Sequence, residues 1–356
     1  MRSTLLTIIL FISFSLSAKE LAIMSYNAHN LFDTNHDKNK NDWTYLPLRY
    51  PKKIENCKKM RSAYRRKECL DVDWSDKKLS VKLEQINKVI NLDKRPDILG
   101  LVEVENTIAV SALMSKLGYS RFVMTESPDH RGIDVALMFN ETKDLKFVSM
   151  KEHVLAGNSS LNKPTRNILE VEFLLDSSLK LYVFVNHWPS LSNPDENRVN
   201  AAQALKSRID YLSSRDANAS FIAMGDFNTI DELKPGSKTH PFRDVLLKDN
   251  SLIDIDQNVR SKLSSKKRLS MAKGTYFYKR NKEWSLLDRF FVSSNIMDNG
   301  KIRYIDNSYK IIDDRSISIR YSKTGEYIPH SFNHRLEGKN RVGFSDHYPI
   351  IMSVKY

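Results

Sequence analysis

Phe221-Ile222-Ala223-Met224-Gly225-Asp226-Phe227-Asn228 sets a short apolar run directly ahead of a glycine and two oxygen-bearing side chains at i and i+2. It reads as a buried strand that ends where a turn begins, with Asp226 and Asn228 held at its tip. The same construction recurs on either side. Leu21 to Tyr26 runs into Asn27-Ala28-His29-Asn30, Asp97 to Glu103 ends in an acid, and Leu181 to Asn186 ends at His187. Further strands are predicted at Ile133 to Phe139, Ile168 to Leu175, Thr275 to Tyr278, Leu286 to Val292 and Ile350 to Val354. Helical spacing appears at Leu79, Leu83, Ile86 and Ile90 after the N-cap candidate Ser75, and at Ala201, Ala202, Leu205, Ile209 and Leu212. Many strands with few helices between them predict an α/β sandwich of two packed, mainly antiparallel sheets with helices outside, rather than one doubly wound sheet.

The chain has 356 residues, 41% hydrophobic and 28% charged, which excludes a disordered or fibrous protein. Lys+Arg outnumber Asp+Glu by 56 to 43, an excess that predicts an acidic partner such as nucleic acid or an anionic membrane face. Cys57 and Cys69 are the two cysteines, too few for a disulfide scaffold or a Cys-based zinc cluster.

Met1-Arg2-Ser3, the apolar run Leu5 to Leu16 and the small pair Ser17-Ala18 read as a secretory signal peptide over residues 1–18. The run is shorter than the ~20 residues a membrane span needs, so no membrane anchor is expected after cleavage. The exported protein would be periplasmic or extracellular, where a Cys57 to Cys69 disulfide can persist; two free thiols are the alternative. Residues 19–356 then form one catalytic domain, because no repeat, Pro-rich linker or Gly/Ser tract divides them. Between about 34 and 74 the periodic pattern dissolves into an insertion, whose stretch Arg49 to Lys67 holds nine Lys/Arg and one acid, Glu55.

Polar clusters gather at the predicted strand ends: Tyr26-Asn27, Glu103, Asn186-His187, Gly225 to Asn228, and Ser345-Asp346-His347. Glu103, Asp226, Asn228 and Asp346 offer hard oxygen ligands, suited to Mg²⁺, Mn²⁺ or Ca²⁺. Phosphoryl hydrolysis with such an ion needs charge neutralisation, a base for water and help for the departing oxygen, and two histidines complete that set.

Met24-Ser25-Tyr26-Asn27, Gly100-Leu101-Val102-Glu103-Val104, Arg131-Gly132-Ile133-Asp134-Val135-Ala136, Asn186-His187-Trp188-Pro189-Ser190, Gly225-Asp226-Phe227-Asn228, Leu287-Asp288-Arg289 and Ser345-Asp346-His347 stand in the order seen in the endonuclease/exonuclease/phosphatase family. From about residue 21 to the C-terminus, outside Thr34 to Trp74, the chain resembles its secreted deoxyribonuclease I-like type. The resemblance implies a four-layer fold and a Mg²⁺-dependent phosphodiester hydrolase, with Mn²⁺ as a substitute and Ca²⁺ as a structural ion. It implies Glu103 as direct metal ligand, Asn27 supporting metal or phosphate, and Asp346 beside the metal. Asp226 and Asn228 would position nucleophile and phosphate, and His347, oriented by Asp288, would activate water. His187 would donate to the phosphate or leaving oxygen, with Glu126 of Thr125-Glu126-Ser127-Pro128 as its carboxylate partner. Where many members read Gln ahead of the metal-binding acid, this chain has Val102.

Substrate is read from charge. Arg49 to Lys67 includes Tyr50 and Tyr64, and Arg260 to Lys282 has nine Lys/Arg, no acid, and Tyr276, Phe277 and Tyr278. Both stretches fit phosphate-backbone contacts with aromatic packing beside them, so sequence-nonspecific DNA endonuclease action by a monomer without a protein partner is expected. Two other readings stand beside it. One is a secreted lipid phosphodiesterase of the sphingomyelinase type, with Trp43, Tyr45 and Leu46 as a membrane wedge; the other is a non-catalytic nucleic-acid-binding relative.

Overall fold

Alternating apolar runs supply the strands, and the computed structural model describes residues 18–155, 164–298, 300–336 and 342–356. In chain order they are β1 (Glu20–Leu31), β2 (Ile98–Val104), β3 (Arg121–Met124), β4 (Asp134–Phe139), β5 (Leu145–His153), β6 (Ile168–Leu175), β7 (Leu179–His187), β8 (Ser220–Asp226), β9 (Leu252–Asp254), β10 (Tyr276–Tyr278), β11 (Glu283–Ser285), β12 (Asp288–Ser293), β13 (Arg303–Tyr304), β14 (Lys310–Ile311), β15 (Ser318–Arg320), β16 (Tyr327–Pro329) and β17 (Ile350–Lys355). One sheet has the order β13-β17-β1-β2-β4-β3, with β14 also on β17; the other has the order β5-β6-β7-β8-β12-β9. The pairs β1–β2 and β7–β8 are parallel and the other pairs are antiparallel, as the mainly antiparallel expectation requires.

Every residue of β4, β8 and β12 is buried, so both faces of these strands are covered. Leu99, Leu101 and Leu137 of one sheet join Val171, Val183 and Met224 of the other in a single apolar core. Gly100 lets the sheets approach, since a Cβ there would lie 2.5 Å from Met224 Cε. Outside them lie α3 (Asp76–Ile90), α4 (Thr107–Leu117) and α5 (Asp195–Arg215). Ser75 caps α3 by accepting from Lys78 N, worth about 1 kcal/mol. Ala201, Ala202, Leu205, Ile209 and Leu212 of α5 pack on Phe184, Phe221 and Phe291, as their spacing predicts. Helix α4 was not visible as a period, because apolar residues occupy most of its length; Asn106 starts it by capping Ile108 and Ala109.

The insertion is more ordered than its polar sequence suggests. It contains α1 (Lys53–Lys59) and α2 (Ala63–Asp71), and of the two readings left open for the cysteines the disulfide holds, joining Cys57 to Cys69 across a Cα–Cα distance of 5.5 Å. Closing so short a loop stabilises by roughly 3 kcal/mol. Lys53 is buried and its Nζ donates to Thr44 O, Leu46 O and Val72 O, which ties the hairpin to its base. A second small core of Phe32, Val72, Trp74, Ile133, Phe332 and Val342 lies there. The proposed membrane wedge is corrected by this packing: Leu46 is buried, Tyr45 stacks on Phe32 at 4.1 Å and Trp43 packs on His36 at 3.9 Å, so none is an exposed apolar tip. The signal segment lies, except for Ala18, outside the described residues, and no helix among those described is long and apolar enough to cross a membrane.

Gly225 has φ +133°, and a Cβ there would sit 2.0 Å from Asn186 O. Gly225→Ala is therefore expected to cost at least ~3 kcal/mol, read as a lowered urea midpoint. An unchanged midpoint would contradict this account of the β7–β8 contact.

Candidate active site

The strand register collects the polar residues at one end of the two sheets. Parallel pairing sets Asn27 opposite Val102 and His187 opposite Asp226, while antiparallel pairing sets Asp288 opposite Asp226. His347 arrives just ahead of β17, where Ser345 Oγ donates to Asn27 O at 2.8 Å and accepts from His347 N at 3.1 Å. Glu103 occupies a bulge in β2 with φ 61°, which leaves Val102 and Val104 both buried and turns the carboxylate towards the cleft. Asn228 also takes a left-handed conformation, φ 45°, which asparagine tolerates.

His347 Nδ1 is 2.7 Å from Asp288 Oδ2, and its Nε2 is 4.0 Å from Asp226 Oδ2. Burial alone would depress the His347 imidazolium. The carboxylates of Asp288, Asp226 and Asp346 outweigh it and hold the group well above the usual histidine range. Burial pushes Asp226 up to about 7; His347 opposes the rise, and Asp288 and Glu103 add to it. Asn27 Nδ2 donates to Asp226 Oδ2 at 3.2 Å and Asn228 N donates to Asp226 Oδ1 at 2.8 Å, so the carboxylate is fixed from both sides.

His187 is the counterpart in the opposite state. Burial, then the charges of Arg166 and Arg131, hold its pKa well below the usual value, so it is neutral. Its Nε2 is 3.9 Å from both Glu103 Oε1 and Asp226 Oδ2, and its buried Nδ1 has no hydrogen-bond partner among the described residues. Glu126 does not supply that partner. Its side chain is 79% exposed and pairs with Lys40 at 3.2 Å, because in this segment the inward positions are Thr125 and Ser127, both bonded to buried Asp134.

The metal-side expectations divide. Glu103 is mostly buried, yet its oxygens accept no hydrogen bond among the described residues, which fits an acid awaiting a cation. Asp346 is 30% exposed, with Oδ1 3.7 Å from His29 Nδ1, and lines the same cleft. Asn27 is buried, its amide oxygen accepts from His29 N at 2.9 Å and its Nδ2 donates to Asp226, so among the described residues it positions the Asp226 carboxylate. No group of three or more His, Cys, Asp or Glu among the described residues could hold an ion alone. The donor set therefore suits a hard ion such as Mg²⁺ that keeps waters and uses one or two carboxylates. Glu103 and Asp346 would hold it.

Two residues escaped the sequence reading. Arg166 is buried in the cleft wall, donates Nη2–H to Trp188 O at 2.6 Å and faces Asp129 at 3.5 Å, while its Nε has no partner among the described residues. Trp188 O also accepts from Asn228 Nδ2, at 3.2 Å. The signal was an arginine immediately ahead of a strand, in Thr165-Arg166-Asn167. Lys82, on the inner face of α3, donates to His29 O at 3.0 Å and Phe344 O at 3.1 Å and lies over the Phe332 ring, joining the end of β1 to the loop that carries Asp346 and His347.

A family model for the Endonuclease/Exonuclease/phosphatase family matches residues 67–356, and the chain belongs to that family. Its members are generally metal-dependent phosphoesterases that use divalent ions such as Mg²⁺. None of the curated proteins matches the chain by sequence. Among solved structures it is similar to an endonuclease/exonuclease/phosphatase family protein from Bacteroides thetaiotaomicron (14% identity, 96% of this chain and 99% of that one, TM-score 0.57). It is also similar to the mannosyl-6-phosphatase Bt3783 of that organism (15%, 94% and 100%, TM-score 0.55). A third is D. rerio TDP2 complexed with single strand DNA product (15%, 95% and 99%, TM-score 0.52). These likenesses share the fold of two packed sheets.

Asp288→Asn tests the His347 assignment. The base must be neutral to accept a proton, so activity rises with pH through the His347 pKa, and loss of the carboxylate lowers that pKa. The acidic limb of the rate profile should move to lower pH and kcat should fall at least ~100-fold; an unmoved limb would contradict the pairing. Arg166→Ala should cost ~100-fold or more in kcat/KM for a small phosphodiester, on the scale of lost charge stabilisation, and should also lower the thermal midpoint because Trp188 O and Asp129 lose a buried partner. Activity within a few-fold of wild type would remove Arg166 from the site.

Proposed function

We propose that the protein is an exported, divalent-metal-dependent phosphodiesterase that cleaves DNA endonucleolytically and without sequence preference. The observation that carries the nucleic-acid reading is the cleft. Its volume is 2090 Å³, about twice the ~1,000 Å³ upper end of small-ligand pockets, and it runs from Asp226 and His347 out to basic side chains of the insertion. A sugar phosphate would leave most of that space unused. The excess of Lys and Arg over acids supports an anionic polymer, and the likeness to a TDP2 bound to single-strand DNA product supports a fold able to take one. The leader-like N-terminus and the disulfide support export. The packing of Trp43, Tyr45 and Leu46 removes the wedge on which the lipid reading rested.

A divalent ion at Glu103 and Asp346 would supply charge neutralisation on the phosphate oxygens. Asp226 and Asn228 hold a water in line with the phosphorus, and His347, once its Nε2 has lost its proton, takes the water's proton there while Nδ1–H stays with Asp288. Arg166 and neutral His187 donate to phosphate and departing oxygens. The P–O bond breaks as water's oxygen adds, the departing alkoxide takes up a proton from solvent, and His347 returns to solvent the proton it accepted.

Purified mature chain should nick supercoiled plasmid in Mg²⁺, stop with chelator, and lose at least ~100-fold in His347→Ala and in Asp226→Ala, both folded. Cleavage should weaken steeply as salt rises. A folded wild-type chain that leaves the plasmid intact in Mg²⁺ would overturn the DNA assignment.

A further inference from the structure

The turn between α1 and α2 is the most cationic piece of the insertion. Lys58 to Lys67 holds Lys58, Lys59, Arg61, Arg65, Arg66 and Lys67 with no acid, and Tyr64 is 73% exposed at its centre. Arg61, Tyr64 and Arg65 line the cleft that contains Asp226 and His347. Tyr278 and Lys279, from the β10–β11 hairpin, line it too, and Tyr278 is 40% exposed. By contrast, Lys266, Lys267 and Arg268 of the second basic stretch are exposed but do not line the cleft, so only part of the charge seen in the sequence is aimed at substrate.

A tyrosine with most of its ring in water, flanked by arginines and fixed on a scaffold closed by the Cys57–Cys69 disulfide and the three carbonyl contacts of Lys53, is built to meet a ligand. Packing does not need it there. Arginines recognise phosphates, and aromatic faces stack on bases of any sequence once those bases are unpaired. A paired duplex keeps its base faces inside and offers only its backbone. Alternation of cation and aromatic ring therefore matches a single strand better than an intact helix.

We propose that the α1–α2 hairpin is a strand-holding wall that makes single-stranded polynucleotide the preferred substrate. Arg61 and Arg65 take phosphates away from the scissile one, and Tyr64 stacks an unpaired base. The inference rests on the phosphodiesterase reading of the same cleft and adds its substrate form.

The test compares wild type with Arg61→Ala/Tyr64→Ala/Arg65→Ala, and with Tyr64→Phe, on a single-stranded oligonucleotide, its duplex, and bis(p-nitrophenyl) phosphate. Wild type should cleave the single strand at least ~10-fold more efficiently than the duplex, and the triple variant should lose ~10-fold or more on the single strand, chiefly in KM, at ~1–3 kcal/mol per stacked base. Tyr64→Phe should keep the preference, and hydrolysis of the small diester should stay within about twofold in every variant. Binding of fluorescent single strand to metal-free protein, followed by anisotropy, reads the wall even if no polynucleotide is cleaved. Equal activity on both strand forms, equal losses on oligonucleotide and small diester, or weakened binding to anionic vesicles with oligonucleotide binding intact would each overturn the proposal. Hydrolysis of the small diester without cleavage of either nucleic acid, together with anisotropy unchanged in the triple variant, would overturn both readings. The same hydrolysis with anisotropy lost in the variant would overturn the nuclease reading and the substrate preference together, and would leave the hairpin only as a wall that binds single strands.

Discussion

The hydrogen bond between His347 and Asp288, 2.7 Å long and buried, joins the two halves of the molecule at the place where its chemistry is concentrated. His347 belongs to the approach to β17 in one sheet, and Asp288 opens β12 in the other. Neither group would tolerate this depth alone, since a buried carboxylate needs a charge or donor and a buried imidazole would lose its proton. Together they hold one proton between them, and the Asp226 carboxylate 4.0 Å away feels the result. Sheet packing and site electrostatics are thus one constraint: the strand ends must meet, and meeting they set each other's charge.

From that pair the rest of the site follows by strand register. Asp226 faces Asp288 across one strand pair and His187 across the other, so a one-residue slip in either would scatter the cluster. The residues that fix the geometry lie just behind it. Ser345, Lys82 and Arg166 donate to main-chain carbonyls and so hold the loops carrying Asp346, His347 and Trp188, while Asn27 fixes the Asp226 carboxylate. The division of labour between the two histidines is likewise made by surroundings: carboxylates outweigh burial at His347, while at His187 burial acts first and the Arg166 and Arg131 charges add to it.

Much of this was legible in the sequence. Strands such as Phe221 to Gly225 and Asp97 to Glu103 announced themselves as apolar runs closed by polar residues, and the ordered motifs carried the fold and the positions of Asp226, Asp288, His187 and His347. What stayed hidden has physical causes. Pattern reading looks for apolar residues, so it passed over Lys82, held by carbonyls of distant segments, and Arg166, held by Trp188 O and the Asp129 carboxylate. Motif position put Glu126 beside His187, but strand alternation turns it outward and leaves Thr125 and Ser127 inside. The insertion looked structureless because a disulfide and Lys53, rather than a repeating apolar face, hold it together.

The account stands or falls on the opposite protonation of the two histidines. Nitrogen-15 NMR of the metal-free protein, with His347 and His187 signals assigned by substitution, reads both states at neutral pH. The account predicts His347 carrying protons on both ring nitrogens and His187 carrying one. A neutral His347, or two histidines titrating together in the ordinary range, would contradict it.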